Sequence, residues 1–308
     1  MKKLKILFMT RDFSRYVERN TYYLSKELEQ IVDLMPWHSA GDIHEILKQL
    51  PEQPDFILMN EDVYPYMTGL RSLNVPYAII MYDIHAYQLE RKQFILDNGI
   101  PHIFSHYRDK FHEWYPELSD RMKWLPIFVN TEIFKDYQLP KEIDWLMMGI
   151  IGWGCYPLRN RMYDAMKDKP GFVYHPHPGY RNIEDQEEKQ VFVGERYAQE
   201  INRAKMFLTC GLSFNYPIIK YYEVLACNTL LLAPSSQELT DLGFVPDENY
   251  IAVDENDFME KTHYYLSEEQ LRIEIAERGY RMVHERHSVK KRAGELVYMI
   301  EDLLKAGG

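Results

Sequence analysis

Short apolar runs alternate with amphipathic stretches along nearly the whole chain, and this alternation constrains the fold more than any other feature. Residues 5–9, 31–35, 55–59, 77–81, 102–105 and 123–128 read as strands. Residues 18–29, 43–50, 63–73, 87–98 and 109–113 read as the helices between them. Strands separated by helices do not pair as hairpins; they form parallel sheets covered on both faces. A second series starts near Asp144, with strands at 144–151, 171–175, 205–209, 230–233 and 250–253 and helices at 157–167, 194–204 and 217–227. From 255 to 305 the pattern is helical, and neither a short-period repeat nor a low-complexity segment appears.

The predicted architecture is therefore α/β, with two Rossmann-like, doubly wound parallel-sheet domains facing across a cleft. The 308 residues suffice for two domains of about 150 each. The polar stretch 130–142, with Pro140 near its end, reads as the join, giving domains at 1–135 and 136–308. Ligands of such folds bind outside the carboxyl ends of the strands. The basic lead of Met1 to Lys5 precedes an apolar run that stops at Arg11, too short for a signal peptide and suited to a buried strand. No run approaches the roughly 18 apolar residues of a membrane span. Cys155, Cys210 and Cys227 form no CxxC pair and are odd in number, which points to a reduced, cytoplasmic setting. A net charge of −11 argues against a dedicated nucleic-acid binder, whose footprint is usually basic.

Three places could carry chemistry. The segment from Tyr216 to Asn228 reads as a short helix with Pro217 at its first position and Asn228 as the left-handed residue that ends it. Lys220 and Glu223 share one face near its start, where a helix end attracts anions. A nucleotide-sugar suits that combination: phosphates on the helix end and lysine, ribose hydroxyls on the carboxylate. The plain alternative is an intrahelical ion pair. Further back, the strand 144–151 runs into Gly152-Trp153-Gly154 and a helix opening at Pro157, a layout that lets backbone approach phosphate. Arg159 and Arg161 then lie in a first turn, where the dipole disfavours cations unless an anion is bound; the alternative is solvent or Asp164. In the first half, Asp83 and His85 follow the strand 77–81 at its carboxyl end; capping of a helix near Ala86 also explains Asp83. His175-Pro176-His177 lacks further ligands at metal spacing, so no metal site is read there.

These segments resemble those of GT-B glycosyltransferases, specifically the family-4-like group with the CgeB-like "glycosyl transferases group 1" domains. Lys220 and Glu223, with Val224-Leu225-Ala226-Cys227-Asn228 after them, are similar to the family's donor-binding segment. Trp124 to Phe134 resembles its interdomain segment, Asp83 and His85 then Ser105 its strand ends, and Gly279 through His287 to Arg292 its closing helices. The chain departs from the pattern at Asn215, where retaining members often carry an acid, and at Phe128, Asn130 and Asn228.

The resemblance implies a hexosyltransferase that moves a sugar from a nucleotide-diphosphate donor, UDP-sugar favoured, to a glycan, protein or small-molecule acceptor. It implies retention, no metal and no cofactor beyond the nucleotide-sugar substrate. The first domain would be the acceptor side and the second the donor side, with the last helix packing back on the first domain. His85, Asp83, Arg159 and Lys220 are the expected catalytic residues. Gly152, Trp153, Arg159, Asn215, Tyr216, Lys220 and Glu223 are the expected donor-binding residues. If the reaction inverts, His85 or Asp83 is the base. A non-catalytic nucleotide-sugar or carbohydrate-binding protein on a decayed scaffold, with Asn215 as its support, and a GT-B sugar-nucleotide epimerase are the alternatives.

Overall fold

The computed structural model describes residues 3–214 and 216–307. It divides into two compact units: one made of Met1–Ser14, Arg19–Pro126 and Val289–Gly308, the other of Arg15–Glu18 and Ile127–Ser288. The main division falls at Pro126, and the last helix belongs to the first unit.

The first unit holds β1 (Lys5–Met9), α1 (Asn20–Ile31), β2 (Asp33–Trp37), α2 (Ile43–Gln49), β3 (Phe56–Met59), β4 (Tyr77–Met81), α3 (Gln88–Asn98), β5 (Ile103–Ser105), α4 (Asp109–Trp114) and β6 (Met122–Trp124). Its strands pair in parallel in the order β2-β1-β3-β4-β5-β6. Ile6 to Met9 and Phe56 to Met59 are buried throughout, the continuous apolar run that a parallel sheet covered on both faces requires. Three expected elements change for local reasons. Residues 63–73 form two short 3-10 turns, because Pro65 lies in the first and Gly69 adopts φ +80° before the second. α1 runs on to Ile31 and so delays β2 to Asp33, while β6 stops at Trp124, ahead of Pro126. Asp42 caps α2 by accepting from the backbone N–H of His44 and Glu45.

The second unit holds β7 (Ile143–Gly149), α5 (Pro157–Met166), β8 (Phe172–Pro176), α6 (Asp185–Glu188), α7 (Gly194–Asn202), β9 (Ala204–Leu208), α8 (Ile219–Ala226), β10 (Leu230–Ala233), α9 (Gln237–Asp241), β11 (Ile251–Ala252), α10 (Phe258–Ser267) and α11 (Glu269–Arg286). Its parallel strands run in the order β11-β10-β9-β7-β8. Trp145, Met147, Met162, Met206, Leu232 and Ile275 form part of one buried cluster that ties sheet to helices. Successive connections leave β7 to opposite sides, towards β8 and then β9, so the switch point where such sheets bind ligands lies at the carboxyl ends of β7 and β9. The closing helix, α12 (Val289–Gly307), packs on α1 in the first unit. No helix of the described residues is long and apolar enough to cross a membrane.

Candidate active site

At the carboxyl end of β7, Gly149 adopts φ +139°, and a Cβ placed there would stand 3.1 Å from Arg159 Nη1 and 3.4 Å from Lys220 Cε. The glycine is what lets the two cationic side chains close over the strand end. Arg159 comes from the first turn of α5, yet it is only 2% exposed. Its guanidinium donates to Ile150 O (3.2 Å), Thr209 Oγ1 (3.3 Å) and Cys210 O (3.3 Å), spanning the ends of β7 and β9, and lies over the Tyr156 ring at 4.0 Å. Its buried Nε has no partner, and among the described residues it forms no ion pair. A buried cation held only by neutral acceptors costs free energy unless an anion arrives.

Lys220 lies half-buried in the first turn of α8 and donates to Tyr197 Oη at 3.0 Å, sitting 5.2 Å from the centre of that ring. Burial, opposed by Glu223 and reinforced by Arg159, draws its ammonium down to about 8. Glu223, 7% exposed, accepts from Tyr197 Oη at 3.2 Å, and burial raises its carboxyl above the ordinary value, against the pull of Lys220 and of that hydrogen bond. Lys220 and Glu223 thus meet through a phenol from α7, not directly. His177, just beyond β8, is drawn down to about 4 by burial and by the nearby Lys220 and Arg159 charges. Its Nδ1 accepts from the Gly179 N–H (3.0 Å), which leaves the proton of the neutral ring on Nε2.

The other expected donor residues are placed as follows. Asn160 holds the glycine loop, its Oδ1 accepting from Gly152 N (2.8 Å) and its Nδ2 donating to Trp153 O (3.1 Å); Gly152 has φ +81° and Trp153 is exposed. Arg161 faces outward and pairs with Glu255, not Asp164. Tyr216 is buried and stacks on Phe214. Asn215 lies outside the described residues. α8 begins at Ile219 with Ile218 as its cap residue, so Pro217 precedes the helix instead of opening it; the extended cap residue takes the position before the first turn. Asn228 does adopt the left-handed conformation, at φ +52°.

In the first unit Asp83 is exposed and His85 half-buried in the turn after β4. Asp83 caps no helix: α3 begins at Gln88, and its cap residue is Tyr87, without a side-chain cap bond. Burial lowers His85 below the usual imidazole value, with Asp83 opposing and Arg91 adding to the effect. The turn is anchored by a residue the sequence did not single out. Glu61, buried just after β3, accepts from the backbone N–H groups of Tyr82 and Asp83 and pairs with Arg91 of α3. Burial pushes Glu61 up to about 7, against Arg91.

Residues 159–298 match the family described as "Glycosyl transferase-like". Sucrose-phosphate synthase from Thermosynechococcus elongatus has the same fold, with a TM-score of 0.72 at 13% identity over 99% of this chain and 100% of that one. HepE of Anabaena, solved in complex with UDP-glucose, gives 0.70 at 10% identity, covering 97% and 100% of the two chains. A glycosyltransferase from Rickettsia africae gives 0.68 at 13% identity, covering 99% and 100%. Among curated proteins none is similar in sequence. The two parallel-sheet units are the GT-B fold, and residues 159–298 are similar to the glycosyl transferase-like family.

Proposed function

We propose that the chain transfers a hexose from a nucleoside-diphosphate donor, UDP-sugar favoured, to a hydroxyl acceptor, with retention and without a metal. The observation that carries this reading is the convergence on Gly149 of a buried Arg159 with an unpartnered Nε and a Lys220 without a direct carboxylate. Both lie at the switch point of the sheet, where the ends of two helices also meet. The leaving diphosphate would sit there, its growing charge stabilised by groups already in place, the electrostatic contribution that usually dominates such reactions. Glu223 would accept the ribose hydroxyls, and the loop of Gly152 and Trp153 would line the donor. HepE, of the same fold, is solved with UDP-glucose, which supports the choice of UDP.

In the retaining reaction the bond from the anomeric carbon to the diphosphate oxygen breaks and a bond to the acceptor oxygen forms on the same face. The acceptor proton passes to the departing phosphate, so no separate base is needed. His85 and Asp83, in the turn after β4, would bind the acceptor in the first unit. A thermal-shift screen of UDP-, GDP-, TDP- and CMP-sugars tests the donor: ligand at 100 times its dissociation constant stabilises by about 2.7 kcal/mol. Turnover of the stabilising donor in excess EDTA tests the rest, since a full loss restored by magnesium or manganese contradicts the assignment of phosphate charge to Arg159 and Lys220.

A further inference from the structure

We infer that Tyr197 is a positioning residue of the donor site, its hydroxyl holding Lys220 and Glu223 apart so that each keeps groups free for the ligand. The comparison that carries this lies within the chain. Lys26 and Glu29, and Lys110 and Glu113, have the same order and spacing on a helix, and both pairs close directly, at 2.9 and 2.6 Å. Lys220 and Glu223 do not. Between them stands the Tyr197 hydroxyl, accepting from Lys220 Nζ at 3.0 Å and donating to Glu223 Oε2 at 3.2 Å.

The hydroxyl can do this because α7 fixes the ring. Phe134 meets it edge to face, with centroids 5.8 Å apart, and Ala198 beside it is fully buried. Held this way, the lysine engages one of its three N–H groups and stays against Gly149 beside Arg159. Glu223 engages one oxygen and keeps Oε1 without a hydrogen bond among the described residues. A closed ion pair would draw the ammonium away from the strand end and cover the carboxylate. The groups that act on Lys220 are Glu223 on its own helix, Tyr197 from α7, Arg159 from α5 and His177 beyond β8.

The inference rests on the donor reading only for the ligand's identity, and the test separates the two. UDP affinity is measured by calorimetry from neutral to alkaline pH in the wild type and in Tyr197→Phe, which keeps the ring. In the variant the lysine closes on Glu223, so affinity at neutral pH falls about tenfold, the scale of one hydrogen bond to a charged group. The alkaline fall in affinity also moves upward. Phe134→Leu, which keeps the hydroxyl but loosens the ring, gives a smaller loss in the same direction and serves if Tyr197→Phe does not fold. Without ligand, the Lys220 amine is titrated by NMR after reductive ¹³C-methylation, its signal assigned with Lys220→Arg. It titrates near 8 in the wild type and higher in Tyr197→Phe. An unchanged Lys220 titration in the folded variant overturns the inference, as does wild-type UDP affinity with an unmoved alkaline limb. If UDP fails to bind the wild type while the Lys220 titration moves as stated, the spacer role stands and the donor reading falls.

Discussion

Arg159 and Lys220 reach the same glycine from two different helices, Arg159 Nη1 coming within 3.1 Å and Lys220 Cε within 3.4 Å of where a Gly149 Cβ would be. Among the described residues neither has a carboxylate in direct contact, so the strand end carries two positive groups with nothing negative between them. That arrangement costs stability by itself and favours any anion that fits.

Gly149→Ala should therefore act twice. A side chain at φ +139° is strained, at about 1–3 kcal/mol, and its methyl pushes into the Arg159 guanidinium. Gly152→Ala meets the strain at φ +81° but no neighbour within 4 Å. Urea denaturation should show both variants destabilised, while UDP calorimetry should show the larger affinity loss for Gly149→Ala.

Arg159→Ala is expected to lower turnover more than donor affinity, because its contact would tighten as charge collects on the leaving diphosphate. Loss of one such donor typically costs about 100-fold or more in kcat. Steady-state kinetics beside a binding isotherm check this; equal losses in both would mean that Arg159 only holds the substrate.

Glu223→Gln should weaken UDP binding by about 1.5–3 kcal/mol without unfolding the protein. The control is UDP lacking both ribose hydroxyls, which wild type and variant should bind alike. A difference that persists with the dideoxy ligand removes the ribose from the explanation.

The alkaline limb of donor binding follows from Lys220. Its ammonium, drawn down to about 8, is charged below that pH and loses its charge above it, so phosphate affinity falls as pH rises through 8. Lys220→Arg, whose guanidinium stays charged, should flatten the limb. Calorimetry across the range decides the matter.

Glu61 gives a stability prediction in the first unit. Removing it leaves Arg91 buried without its counter-charge, and Glu61→Ala should cost about 3–5 kcal/mol by thermal or chemical denaturation. Its folded value of about 7 lies above its ordinary 4.5, so folding takes up a proton between those values. The part of stability due to that proton is full below 4.5 and is lost as pH rises through 7, while the ionised side chain still faces Arg91. Wild type should therefore lose stability relative to Glu61→Gln across that window.

The strands were legible because parallel sheets bury whole apolar runs: β1, β4 and β10 fall where the hydrophobicity alone puts them. Residues 63–73 misled because helical periodicity survived while Pro65 and Gly69 broke the backbone. In the site, Arg159, Lys220 and Glu223 stood out as charges in short helices beside a strand end. Tyr197 did not, since nothing in the spacing of residues 197 and 220 announces that α7 and α8 share a hydrogen bond. Glu61 was within reach: an acid directly after an apolar strand is the same signal that drew attention to Asp83.

The last helix, α12, is far from α1 in sequence yet packs on it in the same unit. Apart from the brief excursion of Arg15–Glu18 into the second unit, the backbone passes from one unit to the other after Pro126 and returns at Val289. Cutting the chain at the apparent boundary would not give two independent halves. The amino-terminal fragment would carry α1 with its cover missing, and the carboxy-terminal fragment would trail an amphipathic helix with no seat. For this protein the smallest piece worth expressing is the whole span from the first strand to the last helix, and homologous fragments should be exchanged only with all the crossings moved together.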